Sequence, residues 1–147
     1  MQILGFLVAA YGAALATYLG YLTYRRERHR IRLRFRLEAG DGPPSLAVYV
    51  VNLGIRAVTI RDGKFFWNED DGRFGPALRR GGQLPVRLDD GDELRLWIPI
   101  GEVIDHPDGF LVEDTTGREH QQPFSPTFLE QLVLFRQWAN EASLTSD

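Results

Sequence analysis

The chain has 147 residues, 44% hydrophobic and 25% charged, a size and balance that suit one compact domain with an accessory segment. It contains no cysteine, which excludes disulfides, thiol chemistry and cysteine-ligated zinc or iron–sulfur sites. The net charge of −3 hides a division: residues 25–36 hold seven arginines against Glu27, whereas residues 37–147 hold ten basic against nineteen acidic residues.

From Ile3 to Tyr24 there is no charged residue. At about 1.5 Å per residue this stretch spans roughly 33 Å, enough for a hydrocarbon core of about 30 Å. Residues 1–24 are therefore expected to form one transmembrane helix. A cleaved signal peptide fits less well. The segment before the apolar run lacks Lys or Arg, the run itself is long, and the arginines behind it resist translocation. The start at Met1 agrees with an uncleaved anchor.

Residues 25–31 form a basic collar. Arg25, Arg26, Arg28 and Arg30 follow the helix at once, so the positive-inside rule puts the N-terminus outside and the remaining domain in the cytoplasm. These four are expected to meet anionic lipid headgroups, while the acidic domain is expected to stand off the same leaflet. Within the helix, Gly5, Ala9, Ala13, Ala16 and Gly20 fall on one stripe, with Gly12 beside it. Leu4, Tyr11, Leu15, Tyr18 and Leu22 lie opposite. Small residues let a second helix approach, so the stripe is a candidate packing face toward other integral-membrane subunits; chance alignment of common residues is the bland alternative. Tyr21 and Tyr24 suit an interfacial belt. Tyr11 and Tyr18 lie deeper, where a hydroxyl asks for a neighbouring protein, a bound lipid or pigment, or a bond within its own helix.

Residues 32–124 read as a β-sandwich. In "IRLRFRLE", Ile31, Leu33, Phe35 and Leu37 alternate with Arg32, Arg34, Arg36 and Glu38, the period of a strand with one buried face. "EAGDGPPS" is a loop, "LAVYVVN" a second strand, and Asn52-Leu53-Gly54 a turn in which Gly54 can take positive φ. "AVTI" follows, then "GKFFW". "LPVRL" and "ELRLWIPI" flank "DDGD", which has the pattern of a hairpin turn. In the latter strand Leu94, Leu96, Ile98 and Ile100 share one face, and Glu93, Arg95, Trp97 and Pro99 the other. "GEVIDHPD" suggests a short helical turn or crossover. "GFLVED" and "REHQQPF" make a hairpin around Thr115-Thr116-Gly117. Residues 125–142 predict an amphipathic helix with Ser125 as N-cap and Pro126 at its first position. Phe128, Leu132, Phe135 and Ala139 line one face, with Trp138 nearby. That helix packs on its own sandwich, or else on another subunit or the membrane surface.

The segments "VYVVNLGIRAVTI" (48–60), "LDDGDELRLWI" (88–98) and "EDTTGREH" (113–120) carry a resemblance. With the helix and collar, the chain resembles a widespread group of uncharacterised bacterial membrane-anchored proteins. These have one N-terminal transmembrane helix, a basic collar and a small immunoglobulin-like sandwich. The resemblance covers most of residues 1–124, does not include the C-terminal helix, and rests on strand-and-turn patterns. It implies a mainly β fold and a single-pass inner-membrane topology, and implies no activity.

Chemistry is sparse. Asp105-His106-Pro107-Asp108 is the one compact acid–histidine cluster, and without a second ligand set it reads as a capped turn. "DDGDE" lacks the spacing and terminal Glu of a calcium loop. His29 and His120 read as facing lipid or solvent. No nucleophile–base pair, phosphate loop or metal set is apparent, so no cofactor is expected and an enzyme such as a hydrolase is disfavoured. Phe35 alone interleaves the collar, which argues against nucleic acid. The expected function is a non-catalytic accessory or scaffold subunit of an integral-membrane complex, with Arg95, Trp97 and Trp138 as candidate partner contacts. The alternative is a free-standing anchored adaptor that recruits a soluble protein.

Overall fold

The computed structural model describes residues 2–27, 30–40, 42–68, 72–103 and 106–144, with side chains described within the first helix for residues 8–23 and within the last helix up to residue 142. The chain runs as helix α1 (Gln2–Glu27), strands β1 (Ile31–Glu38), β2 (Ser45–Asn52), β3 (Val58–Phe66), β4 (Arg73–Phe74), β5 (Val86–Leu88), β6 (Glu93–Pro99), β7 (Gly109–Asp114) and β8 (Glu119–Pro123), and helix α2 (Pro126–Leu144). A single 3-10 turn, Ile100–Glu102, follows β6.

Along α1 every described side chain is exposed except half-buried Leu22. Among the described residues, no helix is long and apolar enough to cross a membrane. The transmembrane helix expected over residues 1–24 is therefore not shown there, and part of that span, residues 1–7 and Tyr24, lies outside the described side chains. The described part, Val8–Thr23, carries Tyr11, Tyr18, Tyr21, Thr17 and Thr23 among its apolar residues, and the more apolar Ile3, Leu4, Phe6 and Leu7 precede it. Thr17 hides its own polarity by donating its hydroxyl to Ala13 O at 2.8 Å. The Cβ directions of Gly12 and Gly20 meet only open space. Of the stripe, Ala9, Ala13 and Ala16 are exposed, and the Gly5 position falls outside the described side chains.

The β region is two antiparallel sheets, one of three strands in the order β1-β2-β6 and one of five, β4-β3-β7-β8 with β5 also on β3. Alternation decides what they bury. Leu33, Leu46, Val48, Val50, Leu96 and Ile98 from the first sheet meet Val58, Ile60, Phe65, Leu88, Phe110 and Val112 from the second in one core. The expected "AVTI" and "GKFFW" are one strand, β3, with a bulge between Ile60 and Asp62 that shifts its register against β7.

Two turns differ from expectation. "DDGD" does not close a hairpin: β5 pairs with β3 and β6 with β2, so the chain crosses there from one sheet to the other. Asn52, fully buried, holds this corner. Its amide nitrogen donates to Arg56 O (2.8 Å), Leu88 O (3.2 Å) and Asp89 O (3.1 Å). Its backbone N–H donates to Asp92 O at 3.0 Å, and its carbonyl accepts from Gly91 N at 2.9 Å. Gly91 supplies the positive φ of 77° that the corner requires. Gly54, by contrast, does not take positive φ. Its N–H donates to Asn52 Oδ1 at 2.9 Å, so the side chain makes the turn.

Helix α2 starts as its sequence predicts, with the Phe128 N–H donated to Ser125 Oγ at 3.2 Å. It packs on its own sandwich: Leu132 and Ala139 are buried, and Phe128 and Phe124 close on Phe35 with ring centroids 5.8 and 4.6 Å away. That cluster packs against the core beside β1.

Candidate functional site

Strand pairing sets four rows on the outward face of the three-stranded sheet: Arg32–Val51–Glu93, Arg34–Tyr49–Arg95, Arg36–Ala47–Trp97 and Glu38–Ser45–Pro99. The first row lies beside the collar, because β1 begins there. At about 3.3 Å per residue, Trp97, level with Ala47, stands roughly 17 Å farther along β2 than Asn52. The odd–even pattern of β6 points Trp97 outward as its sequence predicts, and it is 48% exposed.

A cluster drawn from three strands fixes this tryptophan. The Arg95 guanidinium lies over the Trp97 ring, 4.7 Å from its centroid, and 5.7 Å from the centroid of Tyr49. Arg95 Nη2 pairs with Glu38 Oε2, and Tyr49 donates its hydroxyl to Glu38 Oε1 at 2.9 Å. The Arg95 hydrogen bond lowers the Glu38 carboxyl below its ordinary value, against partial desolvation and with help from the Tyr49 and Trp97 side chains. The carboxylate is thus held charged, and it in turn holds the guanidinium over the indole.

Trp97 is the ridge between two hollows. One, of about 500 Å³, is lined by Arg36, Glu38, Gly40, Pro43 and Arg95. The other, of about 540 Å³, is lined by Pro43, Ala77, Leu78, Gln83, Pro99 and Glu102. Among the described residues, neither lining includes a residue of α2. Gln83 meets the strand from the side: Trp97 N–H donates to its Oε1 at 2.7 Å, and its amide nitrogen donates to Trp97 O at 2.9 Å. A side-chain amide stands where the next strand of the sheet would be.

The other expected residues lie elsewhere. Trp138 is 48% exposed on α2, its ring 5.5 Å from that of Phe135, and it lines neither hollow beside Trp97. Arg30 is exposed, and the side chains of Arg25, Arg26 and Arg28 fall outside the described residues. Tyr11 and Tyr18 are exposed, and among the described residues neither hydroxyl has a partner.

Asp105 and His29 also fall outside the described residues. Asp108 serves the backbone, accepting the Asn68 N–H at 2.6 Å. His120 corrects its expectation: its side chain is only 9% exposed and Nε2 lies 3.2 Å from Asp114 Oδ2. Buried Asp114 also accepts from Thr116 N (2.8 Å), the Thr116 hydroxyl (2.5 Å) and Arg118 N (3.1 Å). Burial pushes its carboxyl up, but the bonds from Thr116, His120 and Arg118 outweigh it and leave it lowered. This His–Asp pair pins the β7–β8 turn. Among the described residues no group of three or more His, Cys, Asp or Glu side chains could hold a metal ion.

Sequence reasoning missed Glu38, Tyr49, Gln83 and Pro43. Glu38 and Tyr49 had a signal, since both occupy outward positions, but their meeting depends on a register between segments far apart in the chain. No known protein family matches the chain, and no curated protein matches it.

Proposed function

We propose that the chain is a non-catalytic, membrane-anchored accessory subunit of an integral-membrane complex, of the bacterial group it resembles, with an immunoglobulin-like sandwich. In this reading α1 crosses the inner membrane with its N-terminus outside, and the small-residue stripe from Gly5 to Gly20 packs against a neighbouring helix. Arg25, Arg26, Arg28 and Arg30 meet anionic headgroups, and the sandwich braces cytoplasmic surfaces of the same assembly. One observation carries the proposal: a 26-residue helix, uncharged from Ile3 to Tyr24, whose described side chains are almost all exposed and uncovered by the rest of the chain. Such a surface asks for lipid or another helix.

The Trp97 face supplies the second contact. Trp and Arg are the types most enriched at interface hot spots, and a ring already fixed by Arg95 loses little freedom on docking. The experiment is gentle detergent extraction from the source membrane, with native sizing of the wild type and of Trp97→Ala. The wild type should migrate with a large complex. The variant should leave it, at a cost of about 2 kcal/mol or more in binding, while keeping its β-sheet circular dichroism. Co-migration of the variant with undiminished affinity removes this face from the interface. Wild type that migrates alone, and binds a soluble protein instead, favours the adaptor reading. The distance of Trp97 from the collar suits that reading too.

A further inference from the structure

Leu53 and Ile55 are large apolar residues in the β2–β3 loop, 47% and 61% exposed. The place of this loop is fixed. The Leu53 N–H donates to Arg30 O at 2.7 Å, which ties the loop to the residue that leads from the collar into β1. Arg30 is three residues beyond Glu27, the last residue of α1, so at no more than about 3.6 Å per residue its carbonyl lies within roughly 11 Å of the helix end. The Asn52 bond to Arg56 O and the Gly54 bond to Asn52 Oδ1 stiffen the loop from inside. Leu53 and Ile55 are thus presented on a built turn.

We infer that Leu53 and Ile55 form a second membrane contact, seated at the boundary between headgroups and acyl chains of the leaflet that α1 leaves. The inference rests on the anchor reading of α1 and replaces the expectation that the whole domain stands off the surface. Apart from the collar arginines Arg25, Arg26 and Arg28, charge at the loop itself is balanced: exposed Arg30, Arg56 and Arg87 stand against exposed Asp89, Asp90 and Asp92, and Arg87 pairs with Asp89 at 3.2 Å. Apolar burial therefore drives the contact, and it does not need anionic lipid. Two points of attachment, helix and loop, set the tilt of the sandwich and aim the Trp97 end away from the bilayer.

The test uses the full chain in vesicles of phosphatidylcholine alone and of phosphatidylcholine with phosphatidylglycerol. Because the chain has no cysteine, Ile55→Cys and Gly40→Cys each give one nitroxide site. Gly40 lies in the β1–β2 loop at the other end of the sheet, and a side chain there meets open space. Collision with oxygen and with a water-soluble nickel complex reports depth. The expected reading places the label at 55 about 5 Å or more below the phosphates in both lipids, and the label at 40 in water. Adding Leu53→Ser should move the label at 55 toward water. A chain that resists alkaline carbonate extraction but shows nickel-accessible labels at both positions overturns the contact and leaves the anchor standing. A chain that carbonate extracts overturns the anchor, and the contact with it.

Discussion

Replacing Asn52 by alanine should be among the most damaging single changes in the sandwich. The fully buried amide donates to Arg56 O, Leu88 O and Asp89 O and accepts from Gly54 N. Alanine leaves one buried N–H and two or three carbonyls without partners. Each lost bond costs about 1 kcal/mol net, and an orphaned buried group costs about 1–3 kcal/mol. Water entering the vacated space recovers part of this, so the expected loss is about 3–4 kcal/mol, a large share of a typical stability of about 5–15 kcal/mol. Asn52→Asp should be worse than its shape suggests, because it turns a donor into a charged acceptor facing carbonyl oxygens. The assay is thermal and urea unfolding of the full chain in mild detergent, followed by the far-ultraviolet sheet signal, with amide exchange at Gly54 and Gly91 as a local report. A stability within about 1 kcal/mol of wild type, with both amides still protected, would falsify the view that Asn52 holds the sheet-to-sheet corner.

Three further outcomes are expected. A reporter active only in the cytoplasm, fused after Asp147, should be active; activity confined to the outer side reverses the proposed topology. Ala13→Leu with Ala16→Leu should weaken helix association more than Leu15→Ala on the opposite face, and equal losses in a membrane dimerisation or co-purification assay would make the stripe an accident of composition. The folded-state carboxyls of Asp114 and Glu38 lie below their ordinary values. The stability they contribute is present above the unfolded value of about 4 and is lost as pH falls through the folded one, so acid titration of unfolding free energy should slope downward there. Asp114→Asn should flatten that slope and cost about 1–3 kcal/mol at neutral pH; an unchanged slope would assign the acid response to other groups.

Much of the fold was legible because it depends on local chemistry. Period-two alternation in "IRLRFRLE" and "ELRLWIPI" marks two strands and their buried faces, and Ser125-Pro126 marks the start of α2. The β5–β6 corner was not legible. A hairpin and a sheet crossing use the same Asp and Gly residues, and what separates them is the Asn52 amide, 36 residues from Leu88 in sequence. His120 was misjudged for a similar reason, since its burial depends on Asp114, which Thr116 and Arg118 also hold. At the candidate site, alternation alone turned Trp97 outward. The clamp of Glu38 and Tyr49 on Arg95 needed a three-strand register that no short segment encodes.

Gln83 gives the site a social consequence. If α1 anchors the domain as proposed, copies would meet in two dimensions, at an effective concentration far above that of a free protein. Under those conditions a bare strand edge invites copies to zip side by side along the membrane. The amide of one glutamine occupies the donor and acceptor of Trp97 and blocks that point of the β6 edge without adding a strand or a charge. The same edge keeps a latent capacity, because a partner segment that displaces Gln83 inherits its two hydrogen bonds and lies directly against the tryptophan.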